Sequence, residues 1–525
     1  MVSRSVRTDA ALLCALAALL STAAYLFFRD HGTILGYKDS LSHLLIGRRI
    51  VVGQQTGFGQ LGGIWLPLPH LLISTLAWSD TLYLSGLAGS LFSMAAYVGT
   101  VVGLYAIVRV ATGDRLAGWV AAAVYGLSAN ALYLQTTPMG EPLMYLGMVA
   151  AVLAVLLWDR TGHHRWLLVG ALTCMLLVFV RYEAWVFAVA LWAVVAHLCL
   201  ARKHRFFTGD LAGQAYLLVF GAYVALGVGL WLLWDLVIFD DALAWLRGDY
   251  TSFDQTSELG LKQVGDLRVS VLTYGYGVGH TVGWPLLVAG VVGLVLMAWH
   301  QRLSPVFTAF LATAAPGAFL VYGLYSGAQP MRVEEIDGDL YNLRMALVMV
   351  LPTALFTGYA VSMVPRVHWP ARALRVAATA IVVVLAGTGL TNAAATGGTS
   401  VIMNQEATRA YADFAEQRQV GSFVADRTKG RVLVESFGNE WIVFPNQQRV
   451  VYEGSGDQWR AALVRPDDQV ADIDVVVMRV TPGDNDAVDQ NLHGSRAMAG
   501  YRVALRTDHY LVWERGVRRG GHSHR

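Results

Sequence analysis

Four stretches of this sequence set ionisable side chains against apolar runs. The first is Gly36-Tyr37-Lys38-Asp39-Ser40-Leu41-Ser42-His43, continuing through Leu44-Leu45-Ile46-Gly47-Arg48-Arg49. A helix from Ser40 puts Asp39 near its N-cap and His43 on the same side. Leu41, Leu44, Leu45 and Val52 then make an apolar face suited to the membrane interface. Asp39 reads either as a helix cap or as an acid able to take a proton. A second interfacial piece, Trp65-Leu66-Pro67-Leu68-Pro69-His70, is too broken by proline to span a bilayer.

Glu141 stands in Thr136-Thr137-Pro138-Met139-Gly140-Glu141-Pro142, at the mouth of an apolar run. A carboxylate at membrane depth is costly, so it is paired, functional or held by a helix N-terminus. Arg181-Tyr182-Glu183-Ala184-Trp185 joins two apolar runs almost without a loop. Its Arg and Glu are placed to pair with each other, to meet a phosphate and a sugar hydroxyl, or, for the Arg, to snorkel. In Tyr341-Asn342-Leu343-Arg344-Met345, Arg344 is placed either to fork onto a phosphate or to anchor a span among headgroups. All four sites fall at the same ends of different runs, which predicts a shared cavity.

The elements that position them are membrane spans. Of 525 residues, 55% are hydrophobic and only 14% charged, against about 25% charged in soluble proteins, which excludes a single water-soluble globule. Eleven apolar runs are expected as spans: 10–28, 82–108, 116–134, 142–158, 166–180, 184–200, 214–239, 281–299, 303–322, 343–363 and 374–392. Short loops carrying Arg109, Arg115, Arg160, Arg165, Arg202, Lys203, Arg205, Arg302, Arg366, Arg372 and Arg375 fall on one side, the cytoplasmic one by the positive-inside rule. The longer loops 29–81, 240–280 and 323–342 collect Asp39, Glu141, Glu183, Asp240, Asp241, Asp254, Asp337 and Asp339 on the other, so chemistry is expected on the outer face.

From about residue 396 the apolar runs shorten to strand length: Val432–Val434, Trp441–Phe444, Val450–Tyr452, Ile473–Val477 and Tyr510–Trp513, after a helix over about 404–425. The expected architecture is a polytopic α-helical membrane domain over 1–395, with interfacial helices in 29–81, then an extracytoplasmic α/β domain over 396–515. A Gly/Arg/His-rich tail over 516–525 is expected to be disordered. A net charge of +2 excludes a nucleic-acid footprint, and no phosphate-binding loop or nucleotide fingerprint supports ATP-driven transport. Cys14, Cys174 and Cys199 sit in apolar runs without metal or disulfide spacing. Arginine far outnumbers lysine, whose members are Lys38, Lys203, Lys262 and Lys429, a bacterial signature.

On these residues the membrane portion resembles the GT-C superfamily of integral-membrane glycosyltransferases, in the group that includes protein O-mannosyltransferases and the lipid A aminoarabinose transferase. Asp39 before an interfacial helix matches the superfamily's first-loop acid. Glu141-Pro142-Leu143, Arg181-Tyr182-Glu183-x-Trp185 and Asn342-Leu343-Arg344 are similar to its later motifs. Lys38 stands where some relatives have a second acid, Met345 where an aromatic is usual, and no Trp-Trp-Asp motif is present.

The resemblance implies a polyprenyl-phosphate sugar as donor and an extracytoplasmic acceptor, whether protein, polysaccharide or glycolipid of the cell envelope, at the plasma membrane. Asp39 would be the base of an inverting displacement, and Arg344 with Arg181 would neutralise the leaving phosphate. Glu141 and Glu183 would position hydroxyls, with His43, His70 and Asn342 also meeting substrate. A divalent metal held by Asp39, His43, His70 and Glu141 has suitable ligand types but no diagnostic spacing, and none is assigned. The rival reading is a secondary transporter or lipid flippase. It is disfavoured because transporter sites sit at mid-membrane, between internal repeats.

Overall fold

The computed structural model describes residues 4–201, 211–247, 260–364, 371–464, 472–481 and 486–516. Arg202, Lys203, Arg205, Asp254, Arg366 and the tail from 517 onward lie outside them. Two compact units result. One comprises Met1–Gly36, Gly63–Pro69 and Gly89–Thr408; the other comprises Tyr37–Gly62, His70–Ala88 and Arg409–Arg525.

The first unit is helical. Among the described residues, nine helices have the length and apolarity to cross a membrane: Val6–Asp30, Leu87–Thr112, Glu141–Thr161, Glu183–Ala201, Gly213–Phe239, Leu267–Gln301, Pro305–Ser326, Leu343–Met363 and Arg375–Ala395. His164–Val178 is apolar too, but its 15 residues fall short of the roughly 20 that a perpendicular span needs.

The run expected over 116–134 is two helices, Arg115–Gly126 and Ala129–Leu134. Ser128 causes the break: its hydroxyl accepts from Ala131 N, so the chain restarts a helix there and does not continue the first. The run expected from 281 begins earlier, at Leu267, and carries a wide π-turn at Gly279–Gly283. Tyr274, Tyr276 and His280 mask this first half of the helix in a hydropathy pattern.

The second unit contains a five-stranded sheet, built from β1 (Val432–Leu433), β2 (Val450–Val451), β3 (Val475–Arg479), β4 (Tyr501–Arg506) and β5 (Tyr510–Arg515). The strand order is β2-β1-β3-β5-β4, parallel for β2-β1-β3 and antiparallel for β3-β5-β4. Val475, Val476, Val477 and Met478 of β3 are all buried, as befits a central strand covered on both faces. The expected strand Trp441–Phe444 is instead a short helix, Glu440–Val443, running into a 3-10 turn over Phe444–Arg449. A four-residue apolar run carries no periodicity to tell helix from strand. The single helix expected over 404–425 is two, Ile402–Asp413 and Ala415–Arg427, parted at Phe414.

The first long loop contributes a helix over Lys38–Arg49, and its apolar face does not lie open for a membrane interface. Leu41 and Leu44 are 0% exposed and Leu45 is buried, packed against Glu440–Val443 and the following turn. Polar ties flank this core. Lys38 Nζ meets Glu440 Oε2 at 3.3 Å, Arg49 Nη2 donates to Ser436 Oγ at 2.9 Å, and the Arg49 guanidinium lies 4.1 Å over the Tyr452 ring. Tyr83 OH donates to Phe444 O at 3.2 Å. Segments about 400 positions apart thus share one core.

Candidate active site

Glu141 opens the Glu141–Thr161 helix after Gly140, with Pro142 in its first turn, where a missing N–H costs nothing. The carboxylate is 1% exposed. Its Oε1 accepts from Arg344 Nε at 3.0 Å and lies 3.1 Å from Arg181 Nη1. Arg181 turns its other edge to Glu183, with Nη2 donating to Oε1 at 2.7 Å and Nε 3.2 Å from both carboxylate oxygens. Two guanidinium and two carboxylate groups from the starts of three helices therefore form one buried, charge-balanced network. Such a network is weak as a source of stability, because desolvation offsets its attraction; its specificity lies in fixed geometry. Three of the four sequence sites converge here.

Glu141 Oε2 has no hydrogen-bond partner among the described residues, and neither do the buried hydroxyls of Tyr145 and Tyr274. Tyr145 follows Glu141 by one helical turn, on the same face of the helix. The site thus pairs an oversupplied carboxylate oxygen with an unused one and two unused hydroxyls. Buried polar groups without partners are rare and mark places where a ligand or water belongs.

Asn342 adopts a left-handed conformation, φ 56°, which asparagine tolerates better than most residues. Its Nδ2 donates to Pro330 O at 3.0 Å. Glu406, 4% exposed, accepts from Asn342 N at 2.5 Å and from Leu343 N at 3.2 Å, satisfying the free amides where the 3-10 turn Leu343–Met349 begins. Asn342 and Glu406 thus set the turn that aims Arg344. Glu406, Tyr145 and Tyr274 were not singled out in the sequence. Tyr274 and Glu406 carry no motif, and Tyr145 is legible only through its four-residue spacing from Glu141.

Asp39, His43 and His70 belong to the other unit. The helix begins at Lys38 and not at Ser40, its N-cap is Tyr37 without a side-chain bond, and Asp39 is a half-buried residue of the first turn. Asp39 is thus not the cap. His43 Nδ1 and His70 Nε2 share a hydrogen bond of 2.9 Å between stacked, buried rings 5.0 Å apart. Among the described residues no group of three or more His, Cys, Asp or Glu side chains comes together to hold a metal.

No protein-family model and no curated protein matches the chain. Solved structures do. ArnT from Cupriavidus metallidurans bound to undecaprenyl phosphate superposes with a TM-score of 0.55 at 13% identity, over 97% of this chain and 98% of that one. Its apo state gives 0.52 at 12% identity over the same shares. The Archaeoglobus fulgidus oligosaccharyltransferase complex with Zn and sulfate gives 0.52 at 14% identity, over 93% of this chain and 71% of that one. At such identities the likeness is one of fold. The chain is a multi-pass helical membrane protein that shares the fold of these structures and carries a small C-terminal sheet domain.

Proposed function

We propose that the protein is a membrane glycosyltransferase that moves a sugar from a polyprenyl-phosphate donor to an acceptor outside the cytoplasm. The observation that carries this reading is the convergence of Arg181 and Arg344 on one buried oxygen of Glu141. In a fold shared with a protein solved with undecaprenyl phosphate bound, paired guanidinium groups at helix starts suit a lipid phosphate.

In the proposed step Asp39 takes the proton of the acceptor hydroxyl, whose oxygen attacks the anomeric carbon. The bond from that carbon to the phosphate oxygen breaks, its electron pair leaves with the polyprenyl phosphate, and the configuration inverts. Arg344, with Arg181, neutralises the charge that grows on the departing phosphate. Glu141 Oε2 and Glu183 take sugar or acceptor hydroxyls, and Asn342 fixes the turn that carries Arg344. His43 and His70 can pass the proton onward along their shared hydrogen bond. No step is routed through a metal. The placement of arginine in the short loops supports an N-terminus in the cytoplasm of a bacterial cell and a site on the opposite face.

The test is transfer itself: purified protein with a panel of radiolabelled polyprenyl-phosphate sugars and cell-envelope acceptors. Label appearing on an acceptor as free polyprenyl phosphate accumulates supports the proposal. Labelled lipid that crosses a vesicle bilayer without being cleaved would instead assign the chain to the flippases.

A further inference from the structure

The motif Arg181–Trp185 has two faces. Arg181 and Glu183 enter the ion network, whereas Tyr182 and Trp185 join an aromatic group completed by Trp245. Tyr182 and Trp245 stack with ring centroids 4.7 Å apart and planes 20° apart; Trp185 lies 5.4 Å from Tyr182 and 5.6 Å from Trp245. Tyr182 OH donates to Ile64 O at 2.9 Å and Trp185 Nε1 to Val178 O at 2.9 Å, so both polar ends are satisfied.

Trp245 differs. Its backbone N–H donates to Asp235 Oδ2 at 3.3 Å, while its indole Nε1 has no hydrogen-bond partner among the described residues. Asp235, one turn before the end of the Leu211–Phe239 helix, is 0% exposed, and its Oδ1 has no hydrogen-bond partner among the described residues. Gly63 borders that oxygen. A Cβ there would lie 3.1 Å from Asp235 Oδ1 and 2.7 Å from Phe239 Cε2, so a side chain at this position would crowd both. A carboxylate buried within a span with a lone pair unused is costly, and such groups serve ligands or relays.

An unused acceptor and an unused donor, on two residues joined by a backbone contact, suit a saccharide, whose hydroxyls donate and accept at once. Flanking aromatic faces suit the apolar C–H face of a sugar ring. We propose that Asp235, Trp245, Tyr182 and Trp185 form a saccharide subsite, in which ring hydroxyls donate to Asp235 Oδ1 and accept from Trp245 Nε1. Its assignment to a substrate rests on the glycosyltransferase reading. The ring belongs to the donor sugar or to a sugar on the acceptor, and the chemistry is the same for both. Because the two polar atoms are enclosed, the turn Ala244–Arg247 must shift to admit the ring.

The test compares the full-length protein with Asp235→Asn and Trp245→Phe, using methyl glycosides of common pyranoses and furanoses and, separately, sugar-free polyprenyl phosphate as probes. Saturation-transfer NMR should show at least one glycoside bound, about tenfold more weakly by Asp235→Asn and at least threefold more weakly by Trp245→Phe. Polyprenyl phosphate should bind all three proteins equally. Trp245→Phe keeps an aromatic ring and the backbone N–H while removing the indole donor, so it decides the matter even if Asp235→Asn fails to fold. In turnover, a raised KM for the lipid-linked sugar assigns the subsite to the donor, and a raised KM for the acceptor assigns it there. No glycoside bound, or equal binding by the variants, overturns the proposal and leaves the two atoms to an ordered water. Variant-sensitive glycoside binding in a protein that transfers nothing would sustain the subsite while refuting the proposed function. Transfer with every KM and glycoside affinity unchanged would do the reverse.

Discussion

Arg344 Nε and Glu141 Oε1, 203 positions apart in sequence, meet at 3.0 Å, and Arg181 reaches the same oxygen from a third helix start. A single carboxylate oxygen thereby fixes two guanidinium groups.

Arg344→Lys keeps the charge and loses the planar fork. A hydrogen bond to a charged group is worth about 1.5–3 kcal/mol, so kcat and kcat/KM should fall together by about tenfold or more. Donor-dependent kinetics beside Arg181→Lys check this. A silent Arg344→Lys with a crippled Arg181→Lys would transfer the phosphate to Arg181.

Glu406 holds the two amides at the start of the Arg344 turn. Glu406→Gln retains size but weakens both bonds, and should lower thermal stability by about 1–2 kcal/mol. Turnover should fall further than donor affinity, because the misplaced group acts as charge develops. Unchanged stability and kcat would show that the turn holds without it.

How much of this was legible in the sequence differs by element. The long helices were, because length and apolarity suffice for a bilayer. The break at Ser128 and the π-turn at Gly279–Gly283 were not, since a cap or a widened turn barely alters a hydropathy profile. The strand Tyr501–Arg506 escaped because only its hairpin with Tyr510–Arg515 organises it. Glu141, Arg181, Glu183 and Arg344, which form the ion network, stood out as charges beside apolar runs, as did Asp39 in the other unit. Glu406, Asp235 and Trp245 did not, because their roles depend on partners far away in the chain.

The burial of Leu44 separates a protein core from a membrane interface. Leu44→Ala should cost about 2–5 kcal/mol in unfolding of the purified protein, the usual penalty for emptying a filled core site. A side chain resting in headgroups would tolerate the change, so an effect below about 0.5 kcal/mol would restore the interfacial reading.

His509 offers a pH readout in the sheet domain. Its Nδ1 lies 2.7 Å from Glu416 Oε2, and the hydrogen bond and charge of Glu416 hold the imidazole above its ordinary value. A raised folded-state value means that this pair's contribution is complete below about pH 6.5 and is lost as pH rises through the folded value. NMR titration should place His509 above 6.5 and return it toward that value in Glu416→Gln. An unshifted His509 in the wild type would remove the pair.

Asp39 carries the proposed proton transfer, and its replacement tests the account most directly. Asp39→Asn preserves size and removes basicity, and loss of a general base lowers rates by about 100- to 10,000-fold. The decisive measurement is the single-turnover rate of sugar transfer from the polyprenyl-phosphate donor by wild type and Asp39→Asn at equal folded protein. A fall of at least about 100-fold, with donor binding unchanged, is the result predicted. A near-normal rate would contradict the assignment and reduce Asp39 to a charge at a helix start.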